Sequence, residues 1–162
     1  MPPQRLFAPL VVMDLSSHAH DHADYQVSME DIAAWEKLNG AIPPGAVVMA
    51  YTGWCSRWNE PKAYRNADAK GAMHFPGYGE DAAKFLVEAR QIVGLGIDTL
   101  SIDYGVSPNY PVHRFVLAHG VYQLENVANL NLVPATGAQV VVAPLKVEGG
   151  SGAPVRILAL VH

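Results

Sequence analysis

Apolar positions fall into short runs separated by glycine and proline, and each run reads as one element. Leu6–Leu15 is almost continuously apolar around Val11, Val12 and Met13; it is too short for a free-standing helix and rich enough in β-formers for a buried strand. Ser28 with Asp31 three residues on forms a shortened capping box for a helix whose stripe is Ile32, Trp35 and Leu38 and whose stop is Gly40. Ile42-Pro43-Pro44-Gly45 is a turn, and Ala46–Tyr51 a second buried strand running into the loop Gly53–Arg57. Residues 56–73 are polar and mixed, with no periodicity that names an element.

A second helix is expected from Gly79 to Val93, with Phe85, Leu86 and Ala89 inward and with Gly94 and Gly96 ending it. Ile97–Ile102 alternates as a strand, and Asp103-Tyr104-Gly105 turns the chain into a proline-bounded loop. Pro111 suits the first turn of a short helix that carries His113 and Leu117 on one face and stops at Gly120. Val121–Leu124, Gln139–Ala143 and Arg156–Val161 complete the strands. Strands outnumber helices, which predicts an α+β, α/β-type mixed fold: a curled, barrel-like mixed sheet with flanking helices.

Composition narrows the function classes. Of 162 residues, 50% are hydrophobic and 16% charged, which excludes a disordered chain. No apolar run approaches the roughly 20 residues of a membrane helix. Eleven basic residues stand against fifteen acidic ones, for a net charge of −4 without a Lys/Arg cluster, so neither nucleic acid nor membrane is an expected partner. The single Cys55 forms no internal disulfide and no signal-like segment follows Met1, which makes the cytoplasm the expected compartment.

Few groups are left that carry chemistry. There is no Gly-x-Ser-x-Gly elbow, no Cys-x-x-Cys pair and no phosphate-binding loop; Gly149-Gly150-Ser151-Gly152 lacks the lysine and helix of a phosphate cradle and reads as a tight turn between strands. His74, His119 and His162 read as surface or satisfied core residues. Two features could hold a metal: His113 with Glu125 twelve residues later, and the cluster His18-Ala19-His20-Asp21-His22-Ala23-Asp24. Imidazole with carboxylate suits zinc, manganese or iron better than calcium, although a His/Glu pair at this spacing is common by chance.

The whole chain resembles the carboxy-terminal portion of the metal-dependent cyclase family, which includes bacterial kynurenine formamidases and isatin hydrolases. The resemblance rests on Pro9–Asp14, Trp35–Gly45, Thr52-Gly53-Trp54, Phe75-Pro76-Gly77, Gly96–Asp103, His113-Arg114, Glu125-Asn126, Leu132–Gly137 and Gly149–Arg156, in this order and spacing. It implies a swivelling β/β/α domain, and it sets His113 and Glu125 on the family's two late metal-ligand positions. The cofactor it implies is a divalent metal, zinc or manganese.

The family's amino-terminal signature, His-x-Gly-Thr-His-x-Asp-x-Pro-x-His, has no copy in this chain. That signature would supply two histidines and an aspartate as ligands and its last histidine as proton shuttle. The expected unit is therefore a single cyclase-family domain over residues 1–162, shortened at its amino terminus. His18, His22 and Asp24 reproduce the His-x3-His-x-Asp spacing, but after the first strand instead of before it, so they read better as a solvated loop than as replacement ligands.

The expected function is metal-dependent hydrolysis of a small amide, an aryl formamide such as N-formylkynurenine or a cyclic amide such as isatin, within tryptophan-type catabolism. The alternative is a non-catalytic or truncated relative that keeps the fold and an oligomer interface. A homo-oligomer, dimer or tetramer, is expected in either case. Trp54 and Tyr104 could line an aryl pocket, yet such residues are more often packing and are left out of the site.

Overall fold

Continuous apolar runs become the central strands of one sheet, because a strand covered on both faces has no polar face to show. The computed structural model describes residues 2–161, so His162 lies outside it. In chain order the elements are β1 (Phe7–Asp14), α1 (Ser16–Ala19), β2 (Gln26–Val27), α2 (Met29–Asn39), β3 (Val47–Tyr51), α3 (Pro61–Arg65), β4 (Gly77–Tyr78) and α4 (Glu80–Glu88). They continue as β5 (Gly94–Ile97), α5 (Pro111–Ala118), β6 (Tyr122–Leu124), β7 (Ala138–Pro144) and β8 (Val155–Leu160).

Six strands form one mixed sheet in the order β6-β5-β3-β1-β7-β8, and β2 pairs with β4 in a second, two-stranded sheet. β1, β3, β5 and β6 are parallel neighbours, while β7 and β8 add antiparallel to the far side of β1. The helices α2, α4 and α5 lie in the successive crossovers between the parallel strands. Ile32 and Trp35 of α2, Leu86 of α4 and Val112 and Val116 of α5 meet Val11, Val48, Leu95 and Ile97 in a single buried cluster. The opposite face buries Leu10, Val12, Met49, Val140 and Val142 against Val127 and Leu130. The sheet curls far enough for Tyr122–Leu124 of β6 and Val155 of β8, at its two ends, to line one cavity.

The capping box of α2 forms as expected: Asp31 N–H donates to Ser28 Oγ at 3.2 Å and Ser28 N–H to Asp31 Oδ2 at 2.8 Å. Leu38, expected in the inward stripe, is exposed. Further expectations are corrected. The helix expected over Gly79–Val93 is α4, which ends at Glu88 and leaves Ala89 exposed. Gly94 and Gly96 do not follow a helix as stops; they are strand residues of β5, and Ile97–Ile102 is mostly loop. The reason is space: a Cβ on Gly94 would lie 2.5 Å from Tyr122 Cε2, and one on Gly96 would lie 3.0 Å from Met49 Cγ. The Gly149–Gly152 stretch falls in the loop joining β7 to β8.

Candidate functional site

Parallel strands end together, so the loops at their carboxyl ends gather on one rim of the sheet, where open α/β sheets hold their ligands. Thr52 follows β3, Asp98 follows β5 and Glu125 follows β6. Asp98 is fully buried and accepts from Thr52 N–H at 2.9 Å, Thr52 Oγ1–H at 2.6 Å and Cys55 N–H at 3.2 Å, which ties the β3 and β5 loops together.

The next loop delivers Asp103, which is 1% exposed. The α5 helix starts at Tyr110-Pro111, where no N-cap side chain is available, so its first N–H groups need an acceptor from elsewhere. Asp103 provides it: Oδ1 accepts from Val112 N–H at 3.1 Å and Oδ2 from His113 N–H at 3.0 Å. Oδ2 also lies 2.7 Å from His113 Nδ1, and Ser107 Oγ–H donates to Oδ1 at 3.1 Å. Gly77 lets this loop sit close, since a Cβ there would overlap Tyr104 N at 2.1 Å.

The other ring nitrogen of His113, Nε2, is 3.1 Å from Glu125 Oε1. The same Glu125 oxygen accepts from Ile102 N–H at 3.2 Å. Asn126 follows in the left-handed region, φ 57°, with its N–H donating to Thr99 O at 2.8 Å and its Oδ1 accepting from Tyr64 Oη–H at 2.8 Å. An imidazole between two carboxylates is held charged: the hydrogen bonds to Asp103 and then Glu125 outweigh partial burial and push His113 up to about 9. Burial pushes Asp103 upward, but the hydrogen bonds from His113, Val112 and Ser107 outweigh it and leave the carboxyl below its ordinary value.

His113 and Glu125, predicted from different segments, thus stand side by side. The 18–24 loop does not join them. His18 Nδ1 lies 3.0 Å from Asp31 Oδ1, Asp24 Oδ2 lies 2.7 Å from His74 Nδ1, and His22 is exposed. Among the described residues no group of three or more His, Cys, Asp or Glu side chains is gathered for a metal. Trp54 is core, its Nε1–H donating to Tyr64 O at 2.9 Å.

Sequence reasoning missed Asp103, which it read only as a turn, and Tyr64, which sits in the stretch without periodicity. The signal for Asp103 was the uncapped start of the helix at Pro111; Tyr64 had none.

The family described as "Putative cyclase" matches residues 1–104. The chain belongs to the cyclase family. Among its relatives, this cyclase-family chain is 38% identical over 162 residues to the isatin hydrolase of Roseibium aggregatum, a match that covers 98% of this chain and 61% of that protein. In structure it resembles isatin hydrolase A from Labrenzia aggregata bound to benzyl benzoate, with TM-score 0.94 and 39% identity, over 99% of this chain and 63% of that one. It also resembles a predicted metal-dependent hydrolase from Bacillus stearothermophilus, with TM-score 0.71 and 30% identity, over 98% of this chain and 65% of that one. The cyclase-family chain therefore spans less than two-thirds of the length of each. Among the described residues no helix is long and apolar enough to cross a membrane.

Proposed function

We propose that this chain belongs to a metal-dependent amidohydrolase that opens a small amide, an aryl formamide such as N-formylkynurenine or a cyclic amide such as isatin. The observation that carries the reading is the Asp103–His113–Glu125 row, with 2.7 Å on one side of the imidazole and 3.1 Å on the other. A metal-binding histidine characteristically gives its second ring nitrogen to a carboxylate, and Asp103 occupies that place for His113. In kind, the donors fit a divalent cation such as zinc or manganese: His113 through Nε2 and Glu125 through Oε1. In number they are two, where a catalytic zinc commonly takes three protein ligands. A bound cation of this class supplies Lewis acidity and lowers the pKa of water from 15.7 towards about 7.

The chain's own residues prepare that chemistry. Asp103 takes the Nδ1 side of His113 and sets the tilt of its ring, so that Nε2 faces Glu125. Ile102 N–H holds Glu125 Oε1 on the same side. Amide hydrolysis places the water oxygen on the carbonyl carbon and a proton on the leaving nitrogen.

The test is hydrolysis of N-formylkynurenine and of isatin with added zinc or manganese, alongside His113→Ala and Glu125→Gln. Metal-dependent turnover lost in both variants supports the proposal, and turnover that survives both overturns it. The donor count favours a second reading, a family member that keeps the fold without turnover; it predicts weak metal binding and no hydrolysis by the same protein.

Cytoplasmic location, a role in tryptophan-type catabolism and a homo-oligomer belong to the same proposal. The oligomer is supported by an apolar row on the outer face of the sheet, where Phe7, Val141 and Leu158 are cross-strand partners and both Phe7 and Leu158 are about half exposed. Light scattering on the purified chain checks it.

A further inference from the structure

The three tryptophans have unlike environments. Trp35 and Trp54 are buried and donate their indole N–H groups to Val12 O at 3.0 Å and Tyr64 O at 2.9 Å. Trp58 is 58% exposed, and it lines a cavity of about 1220 Å³ together with His113, Leu117, Glu125 and Asn126. Leu117, also 58% exposed, stands one helical turn beyond His113 on α5. What sets these two apart from the other exposed apolar side chains is their place on the wall of the cavity that also holds the histidine and the carboxylate.

Trp58 is also held in place. Its ring meets Tyr64 edge-on, with centroids 5.1 Å apart and planes at 82°. Tyr64 in turn donates to Asn126, the residue after Glu125. Two contacts therefore join the exposed indole to the chain segment carrying the carboxylate.

We infer that Trp58, backed by Tyr64 and assisted by Leu117, binds the flat aromatic ring of the substrate and selects aryl amides over aliphatic amides of similar size. The inference rests on the amide-hydrolase reading for its substrate, and it names a specificity-determining residue for that site. Stacking on an indole is favourable for any planar ring and unavailable to a puckered one, so discrimination follows from shape as well as from hydrophobicity.

The probes are formanilide and its saturated counterpart N-cyclohexylformamide, added to the full chain and followed by calorimetry and by red-edge tryptophan fluorescence, to which exposed Trp58 contributes most. Formanilide is expected to bind and quench this emission, with affinity reduced on the order of tenfold in Trp58→Ala and largely retained in Trp58→Phe. Where turnover is measured, the loss falls on KM and not on kcat. Thermal melting of both variants verifies that they are folded. Equal affinity for the two probes, unchanged formanilide binding in Trp58→Ala, or no formanilide binding at all overturns the inference. Binding with this pattern but without hydrolysis sustains it and removes the hydrolase reading; hydrolysis with an unchanged KM in Trp58→Ala does the reverse.

Discussion

Oδ2 of Asp103 receives the backbone N–H of His113 at 3.0 Å and sits 2.7 Å from the ring Nδ1 of the same residue. One buried carboxylate oxygen thus fixes both where α5 begins and which way its first imidazole faces. Asp103→Asn keeps an acceptor but removes the charge. It is expected to cost about 1.5–3 kcal/mol in urea unfolding, the range for a hydrogen bond to a charged group. His113 is expected to titrate below about 9, towards the ordinary 6.5, in a histidine NMR titration. An unmoved His113 titration would show that Glu125 alone holds the charge.

The same pair sets a pH dependence for the metal-free protein. The pKa of His113 is about 9 when folded, above an unfolded value near 6.5, so the folded state holds more protons between these two values. Its contribution to stability is complete below about pH 6.5 and is lost as the pH rises through about 9. Urea midpoints measured with a chelator present are expected to fall across that window, and His113→Gln to flatten the slope. A divalent ion must displace the Nε2 proton, so its affinity is expected to rise over the same interval.

Tyr64 acts on the site at one remove, through Asn126. Burial pushes its phenol well above the ordinary value, followed by the nearby Asp98 charge, so the hydroxyl remains a donor across the working pH range. Tyr64→Phe removes the 2.8 Å bond to Asn126 Oδ1 and is expected to cost about 1 kcal/mol. If Asn126 holds Glu125 in place, zinc binding measured by calorimetry weakens roughly tenfold, as for other residues that orient a ligand. Unchanged zinc affinity in a folded variant would reduce Tyr64 to a core residue.

What the sequence disclosed follows how local each signal is. Ser28 and Asp31 cap a helix by contacts three residues apart, and the pattern of types there is sufficient. His113 and Glu125 stand out in the sequence as one of two candidate metal-holding features, and family resemblance sets them on ligand positions, since nothing in a twelve-residue spacing requires Nε2 and Oε1 to meet. Asp103 was hidden because its partners, Val112 and His113, lie across a proline-bounded loop, and an aspartate before Tyr-Gly looks like any turn. The segment around Tyr64 carries no apolar period because α3 is only five residues long and buries one of them, Tyr64 itself. The start of β5 escapes the sequence for a similar reason: two glycines look like punctuation until the Tyr122 ring beside Gly94 and the Met49 side chain beside Gly96 are known.

The Tyr122 ring gives the sharpest test of the sheet. Gly94 and Tyr122 are register partners of β5 and β6, and a Cβ at position 94 would meet Cε2 at 2.5 Å and Cζ at 2.7 Å. The ring has little freedom to withdraw, since Tyr122 Oη–H donates to Arg5 O at 3.0 Å, next to the amino-terminal end of β1. Gly94→Ala is therefore expected to destabilise by about 1–3 kcal/mol, the usual cost of overpacking. Tyr122→Leu frees the space at the expense of its own packing, so the double variant should lose less than the two single changes combined, a coupling that a double-mutant cycle reads directly. Tyr122 stands three residues before Glu125 on the same segment, so zinc affinity is expected to fall in Gly94→Ala and to return partly in the double variant. Additive losses would place Gly94 and Tyr122 out of contact and the β5–β6 pairing in a different register.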